Sequence, residues 1–286
     1  MKPEQYTARY DAIVEGIHRA SPETKFVGMA LAAPGTDPAW FEYFLNPANH
    51  KPGIPLDYIS YHFYASPTMA QTIDDWQYTF FDQADGFLNT VRFAESIRKR
   101  LSPQTKVDTD ELGIILPDDG LQGEPGHVMK PIPPRYWNLA GALYAHLFVQ
   151  LSLLQIDVVG ESQLVGYPTQ FPSVSMMNWE NNEPNARFWV LKLLKDNFHP
   201  GDTLVETALE GADAGDVEVQ AFVTPGGRKL LLLNKRNRAI DVSLPDGDKA
   251  SALTVDEQTV DGPARTVKPA DGKIALEPFA VTVVSW

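Results

Sequence analysis

The chain contains no cysteine, which excludes disulfides, thiolate metal sites and a cysteine nucleophile together. No apolar run approaches the ~18 residues that suggest a membrane-spanning helix. The opening residues Met1-Lys2-Pro3-Glu4-Gln5-Tyr6 carry no apolar core of the kind a signal peptide needs. Basic residues are scarce: 24 Lys and Arg stand against 37 Asp and Glu, for a net charge of −13. No basic cluster offsets that charge, so neither a nucleic acid nor a membrane is an expected partner. No glycine-rich phosphate loop follows any strand-like run, so a nucleotide-binding sheet has no signature here. No cofactor is expected. Oligomeric state and localisation stay open, with secretion or periplasmic export requiring a signal upstream.

What the chain does have is 286 residues, 43% of them hydrophobic, enough for one large domain or two smaller ones. Up to residue 200 it alternates helical and strand patterns. Helices are expected at 6–20, 39–45, 82–101, 135–154 and 185–198, the first with Tyr6, Tyr10, Ile13, Ile17 and Ala20 on its apolar face. Asp37-Pro38 reads as the start of the second. Strands are expected at 25–30, 56–64, 106–113 and 157–163. Strands alternating with helices mean a parallel α/β sheet, and four units make about half of a (β/α)8 barrel. Beyond residue 200, short strands separated by Pro-Gly, Asp-Gly and Gly-Pro turns predict a small β-sandwich. The expected division is therefore 1–200 for a partial barrel and 201–286 for the sandwich.

The segment Lys106-Val107-Asp108-Thr109-Asp110-Glu111-Leu112-Gly113 draws the chemistry together. Strand alternation puts Val107, Thr109 and Glu111 on one face. Glu111 is then the last side chain before a loop, 113–134, with five prolines and four glycines. Loops of that length are functional or disordered. An inward carboxylate at the C-terminal end of a barrel strand is placed for catalysis; the bland alternative is a solvated strand terminus. On the strand at 56–64, alternation puts Ile59, Tyr61 and Phe63 on a packed face, and Ser60, His62 and Tyr64 on the other. On the strand at 157–163, Val159, Glu161 and Gln163 share a face. Trp179 reads equally as a platform for a sugar ring or as core packing.

The order of His62-Phe63-Tyr64, Asp110-Glu111-Leu112-Gly113, Gly160-Glu161-Ser162-Gln163 and a terminal β-sandwich resembles a clan-A retaining glycosidase. It is most similar to glycoside hydrolase family 39, the β-xylosidase and α-L-iduronidase family. The segments from Tyr167 to Ser175 and from Asn185 to Val190 share that likeness. The resemblance covers nearly the whole chain as the second half of a barrel plus the sandwich. It implies Glu111 as nucleophile, His62 and Tyr64 beside it, Glu161 reaching the sugar, and a xyloside or related glycoside as substrate. Two departures stand out. Asp110 occupies a position where Thr is more usual, and no Asn-Glu pair sits where the family carries its acid/base. Asn182-Glu183 lies beyond the last barrel strand, so the acid/base is expected upstream of Met1, and this chain alone is expected to be inactive on natural glycosides. Two other classes stay open. One is a non-catalytic sugar-binding protein with a relic cleft. The other is a metal-dependent barrel enzyme using His62, Asp110, Glu111 and His127, disfavoured because adjacent strand residues point opposite ways.

Overall fold

The computed structural model describes residues 1–36, 38–165 and 171–286. Asp37, the expected start of a helix, and Tyr167, Pro168, Thr169 and Gln170 of the family-like segment lie outside the described residues. Two compact units interleave along the chain. One comprises Met1–Tyr64, Ala84–Leu112 and Leu151–Gly160; the other comprises Ala65–Gln83, Gly113–Gln150 and Glu161–Trp286. No helix among the described residues is long and apolar enough to cross a membrane.

The first unit is built on a parallel sheet. Its strands are β1 (Val27–Leu31), β2 (Tyr58–Tyr61), β3 (Phe63–Ala65), β4 (Lys106–Ile114) and β5 (Val158–Glu161), in the order β1-β2-β4-β3 with β5 also paired to β4. Val27 lies opposite Tyr58, and Tyr58 opposite Lys106, in parallel register. The expected strand at 56–64 is interrupted at His62. The cause lies in its neighbour: β1 shifts register between Met29 and Leu31, where Met29 and Ala30 take positive φ angles of 76° and 49°. The His62 N–H then bonds to the Leu31 carbonyl at 2.9 Å. The expected packed face is present, with Ile59, Tyr61 and Phe63 all buried. Tyr61 meets Phe41 edge-on at 5.7 Å, and Phe63 stacks on Phe87 at 4.8 Å.

Helix α1 (Pro3–Ala20) turns a different face inward from the one expected. Thr7, Tyr10, Asp11 and Val14 are its buried residues, whereas Ile13 and Ile17 are exposed. A buried polar contact accounts for the rotation. Asp11 lies 2.6 Å from the His50 Nδ1 and accepts the Lys51 N–H at 2.7 Å. Helix α2 (Ala39–Phe44) places Phe44 against Tyr10, with ring centroids 5.0 Å apart.

The second unit holds most of helix α4 (Pro134–Leu153), helix α5 (Ala186–Asn197) and eight antiparallel strands. These are β6 (Thr203–Val205), β7 (Val217–Thr224), β8 (Gly227–Asn234), β9 (Ile240–Ser243), β10 (Ser251–Val255), β11 (Arg265–Val267), β12 (Lys273–Leu276) and β13 (Val281–Ser285). Six form a sheet in the order β11-β10-β13-β8-β7-β6, and β12 pairs with β9 in a second. Leu232 and Val284 of the first sheet and Ile240, Val242, Ile274 and Leu276 of the second belong to one buried cluster. This is a β-sandwich core. The three-residue strands β6 and β11 are too short to show alternation in the sequence. Helix α3 (Ile73–Leu101) starts nine residues before the expected 82. Its entry is fixed by Asp75, whose carboxylate accepts from both the N–H and the hydroxyl of Thr72, at 2.8 and 3.0 Å.

Gly28 in β1 lies directly under the aromatic layer. A Cβ there would sit 2.4 Å from a Phe44 ring carbon and 3.3 Å from Tyr10. Gly28→Ala is therefore expected to destabilise the protein by about 1–3 kcal/mol through overpacking. The check is a urea titration, in which the midpoint should fall at unchanged slope; an unaltered midpoint would contradict this packing.

Candidate active site

The first half of β4 alternates as a strand should, with Val107 and Thr109 buried. Both are tied to the chain leading into and along β5. The Val107 N–H donates to Asp157 at 3.0 Å, and the Thr109 hydroxyl donates to the Val158 carbonyl at 3.1 Å. Gly160 lets the backbones of β4 and β5 approach, since a Cβ there would lie 3.1 Å from the Asp110 carbonyl oxygen. After Asp110 the phase changes: Leu112 and Ile114 are buried, not Glu111 and Gly113. The alternation slips by one residue, as it does at a β-bulge.

This slip brings two consecutive acids to one imidazole. The Tyr64 hydroxyl donates to Glu111 Oε2 at 2.8 Å. His62 Nδ1 lies 3.3 Å from the same oxygen, and His62 Nε2 lies 3.5 Å from Asp110 Oδ1. The latter distance is too long for a hydrogen bond. The expectation that Asp110 and Glu111 point opposite ways is thus corrected; strict alternation fails where the strand slips. The His62 side chain is only 13% exposed, while that of Glu111 is 44% exposed. The carboxylate is held from one side and open on another. The hydroxyl donor fixes the rotamer of the carboxylate.

Just upstream on the same strand, Asp108 is pushed above its ordinary value by burial and then by the charge of Asp110.

Glu161 has a different setting from the one the family resemblance implies. Its side chain and that of Arg187 are each 1% exposed, and the Arg187 Nε–H donates to Glu161 Oε1 at 2.7 Å. Arg187 also donates to the Val174 and Ser162 carbonyls. Glu161 is therefore a buried ion-pair partner and presents no open carboxylate. Arg187 went unrecognised in the sequence, although it is a lone cation beside Ala186, Val190, Leu193 and Leu194 on the buried face of α5. Such an isolated charge on an apolar face needs a buried partner, and that was the available signal. His127 stands apart from the metal reading: its Nε2 lies 2.7 Å from Asp118. Among the described residues no three His, Asp or Glu side chains form a set that could hold a metal ion. Trp179 is 50% exposed and lines a cavity of about 370 Å³, which excludes the core-packing alternative.

A family model described as D-apionate lactonase, C-terminal immunoglobulin-like domain, matches residues 214–284. No curated protein matches the chain. Among solved structures, a family 51 α-L-arabinofuranosidase from Bifidobacterium longum has a TM-score of 0.64 at 14% identity, over 100% of this chain and 64% of that one. The family 51 arabinofuranosidase from Xanthomonas axonopodis pv. citri has a TM-score of 0.65 at 15% identity, over 99% of this chain and 62% of that one. A family 30 endoxylanase from Clostridium papyrosolvens has a TM-score of 0.50 at 12% identity. The likeness is one of fold. The chain shares with these glycosidases a parallel α/β sheet followed by a β-sandwich, and it spans a little under two thirds of the two arabinofuranosidases.

Burial drives the Glu161 carboxyl up to about 7 from its ordinary 4.5, against the pull of Arg187. The folded state then holds this proton to higher pH than the unfolded chain. Stability from this group is complete below about pH 4.5 and is lost as pH rises to about 7, an effect on the order of 3 kcal/mol. Glu161→Gln should flatten that decline. Comparing urea midpoints at about pH 5 and about pH 8 checks it; an identical decline in the variant would remove Glu161 as the source.

Proposed function

We propose that this chain belongs to a carbohydrate hydrolase in which Glu111 carries the chemistry at the C1 carbon of a sugar ring. The reading rests on a single observation: Glu111, partly open to solvent, accepts the Tyr64 hydroxyl at 2.8 Å with His62 alongside. The fold shared with glycosidases and the family 39 resemblance of the residues around Glu111 support it.

For a glycoside, a xyloside or related sugar, Glu111 attacks the anomeric carbon and forms a glycosyl ester while the leaving oxygen takes a proton. Water then opens the ester with retention. Tyr64 holds the nucleophile in its rotamer, and His62 supports it from the side. The leaving oxygen requires a proton from a second carboxyl, ~5–5.5 Å from the nucleophile. Glu161, buried against Arg187, holds its own loop and does not contact the sugar.

A second reading is favoured by the match of residues 214–284 to the C-terminal domain of a D-apionate lactonase. In a sugar lactone C1 is an ester carbonyl. Glu111 as general base takes a proton from water, and the water oxygen adds to C1. Tyr64 or His62 donates to the developing oxyanion. The ring oxygen then leaves with the proton, giving a hydroxy acid. The three side chains at this site supply every group that opening requires, whereas a glycoside with a poor leaving group needs the further acid.

Both readings make Glu111 indispensable. Glu111→Gln should lower turnover by about 10²–10⁴-fold with the fold intact. Aryl xylosides and arabinosides, followed by phenol release, report the glycosidase; five-membered aldonolactones, followed by acid release, report the lactonase. A fluorosugar that traps the glycosyl ester should label Glu111 only if glycosides are the substrate. Full activity of Glu111→Gln on both substrate classes would overturn the assignment, and turnover of neither by the wild type would leave sugar binding without catalysis.

A further inference from the structure

The cavity beside Trp179 has the composition of a carbohydrate site, and its walls come from separate parts of the second unit. Trp179, Asn178, Glu180 and Glu183 line it from the segment before α5, Trp137 from α4, and Asp261 from the turn joining β10 to β11. Its volume of about 370 Å³ lies within the range of small-molecule sites. A half-exposed indole offers an apolar face to the C–H surface of a sugar ring. Carboxylates accept hydrogen bonds from hydroxyls in pairs. No lysine or arginine is among the lining residues, so an anionic ligand would face three carboxylates without compensation.

Both polar walls are held before any ligand arrives. On one side the Asn178 side chain accepts the Glu180 N–H at 2.9 Å, and the Asn181 side chain accepts the Glu183 N–H at 2.9 Å. The Asn178 N–H closes that loop on the Glu183 carbonyl at 2.8 Å. On the other side the Trp189 indole N–H donates to the Asp261 carbonyl at 2.7 Å. The turn leading to Asp261 is pinned by Arg265, which donates to the Asp256 carboxylate at 3.2 and 2.6 Å. Arg135 pairs with the adjacent Glu257 at 2.5 Å. Val260, immediately before Asp261, takes a φ of 49°, a conformation a β-branched residue adopts only when its surroundings impose it. Burial and then the nearby Glu183 charge push the Asp261 carboxyl above its ordinary value, consistent with two acids facing one space.

We infer that this cavity binds a neutral polyhydroxylated ring, stacked on Trp179 with its hydroxyls donated to Glu183 and Asp261. The β-sandwich then contributes a ligand-contacting residue, Asp261, in addition to its structural part. The inference holds whether or not Glu111 does chemistry, because it rests on a separate set of residues.

The test is direct binding to the 286-residue protein in the Glu111→Gln background, so that no probe is turned over. Xylobiose, L-arabinose and cellobiose serve as neutral probes and D-glucuronate as the anionic one, read by tryptophan fluorescence and isothermal titration. A neutral probe should bind, with D-glucuronate weaker. Trp179→Ala and Asp261→Ala should each weaken the neutral probe by about tenfold. Asp261→Asn, which keeps the side-chain size, serves where the alanine variant loses its fold. No binding of any neutral probe, equal binding of D-glucuronate, or undiminished binding in both the Trp179 and Asp261 variants would overturn the inference. Because turnover is not read, failure here is distinct from failure of the Glu111 assignment.

Discussion

The one-residue slip in β4 is the constraint on which the candidate site depends. A regular strand would carry Asp110 and Glu111 to opposite faces. Here the residues before the slip, Val107 and Thr109, and those after it, Leu112 and Ile114, are all buried. The extra residue is absorbed between them, and both acids reach His62. The contacts that hold β4 just before the slip are ordinary: the Thr109 hydroxyl on the Val158 carbonyl and the close approach of Gly160 to Asp110. Bulges re-aim side chains in this way next to active sites. A shift of register in β1 has a parallel effect on the neighbouring strand, interrupting it at His62.

Buried polar pairs carry much of the rest. Asp11 with His50 rotates α1 so that Tyr10 and Val14 face the core while Ile13 and Ile17 remain outside. Glu161 pairs with Arg187 within the second unit, and Arg187 spans the Val174 and Ser162 carbonyls as well. Such pairs stabilise little against an apolar replacement, yet breaking one partner is costly because it strands a charge. They specify one arrangement of loops over its competitors. His146 and Gln150 of α4 hold Glu218 of β7 in a similar way, at 2.5 and 2.8 Å, which ties that helix to the sandwich.

The sandwich matters to more than stability. Its cluster of Leu232, Ile240, Val242, Ile274 and Leu276 gives it a core of its own. The turn carrying Asp261 reaches the cavity beside Trp179. The aromatic groups of that cavity, Trp137 and Trp179, come from α4 and from the segment before α5.

Periodicity and punctuation alone determined the architecture: strands alternating with helices to residue 200, then short strands between glycine turns. They also placed Ile59, Tyr61 and Phe63 in the core, because period-two burial on a strand follows directly from backbone geometry. The resemblance around His62-Phe63-Tyr64 and Asp110-Glu111 singled out three side chains that do converge. What periodicity could not supply is any departure from it. The slip at Asp110, the interruption at His62 and the turned face of α1 each arise from a neighbouring strand or a buried charge pair. Glu161 reads from its position as a site acid, and only the packing of α5 reveals the Arg187 that buries it. The partners in these pairs stand 26 residues apart for Glu161 and Arg187 and 39 for Asp11 and His50. Contacts at that distance along the chain exist only once the elements have packed, so the tertiary structure decides them.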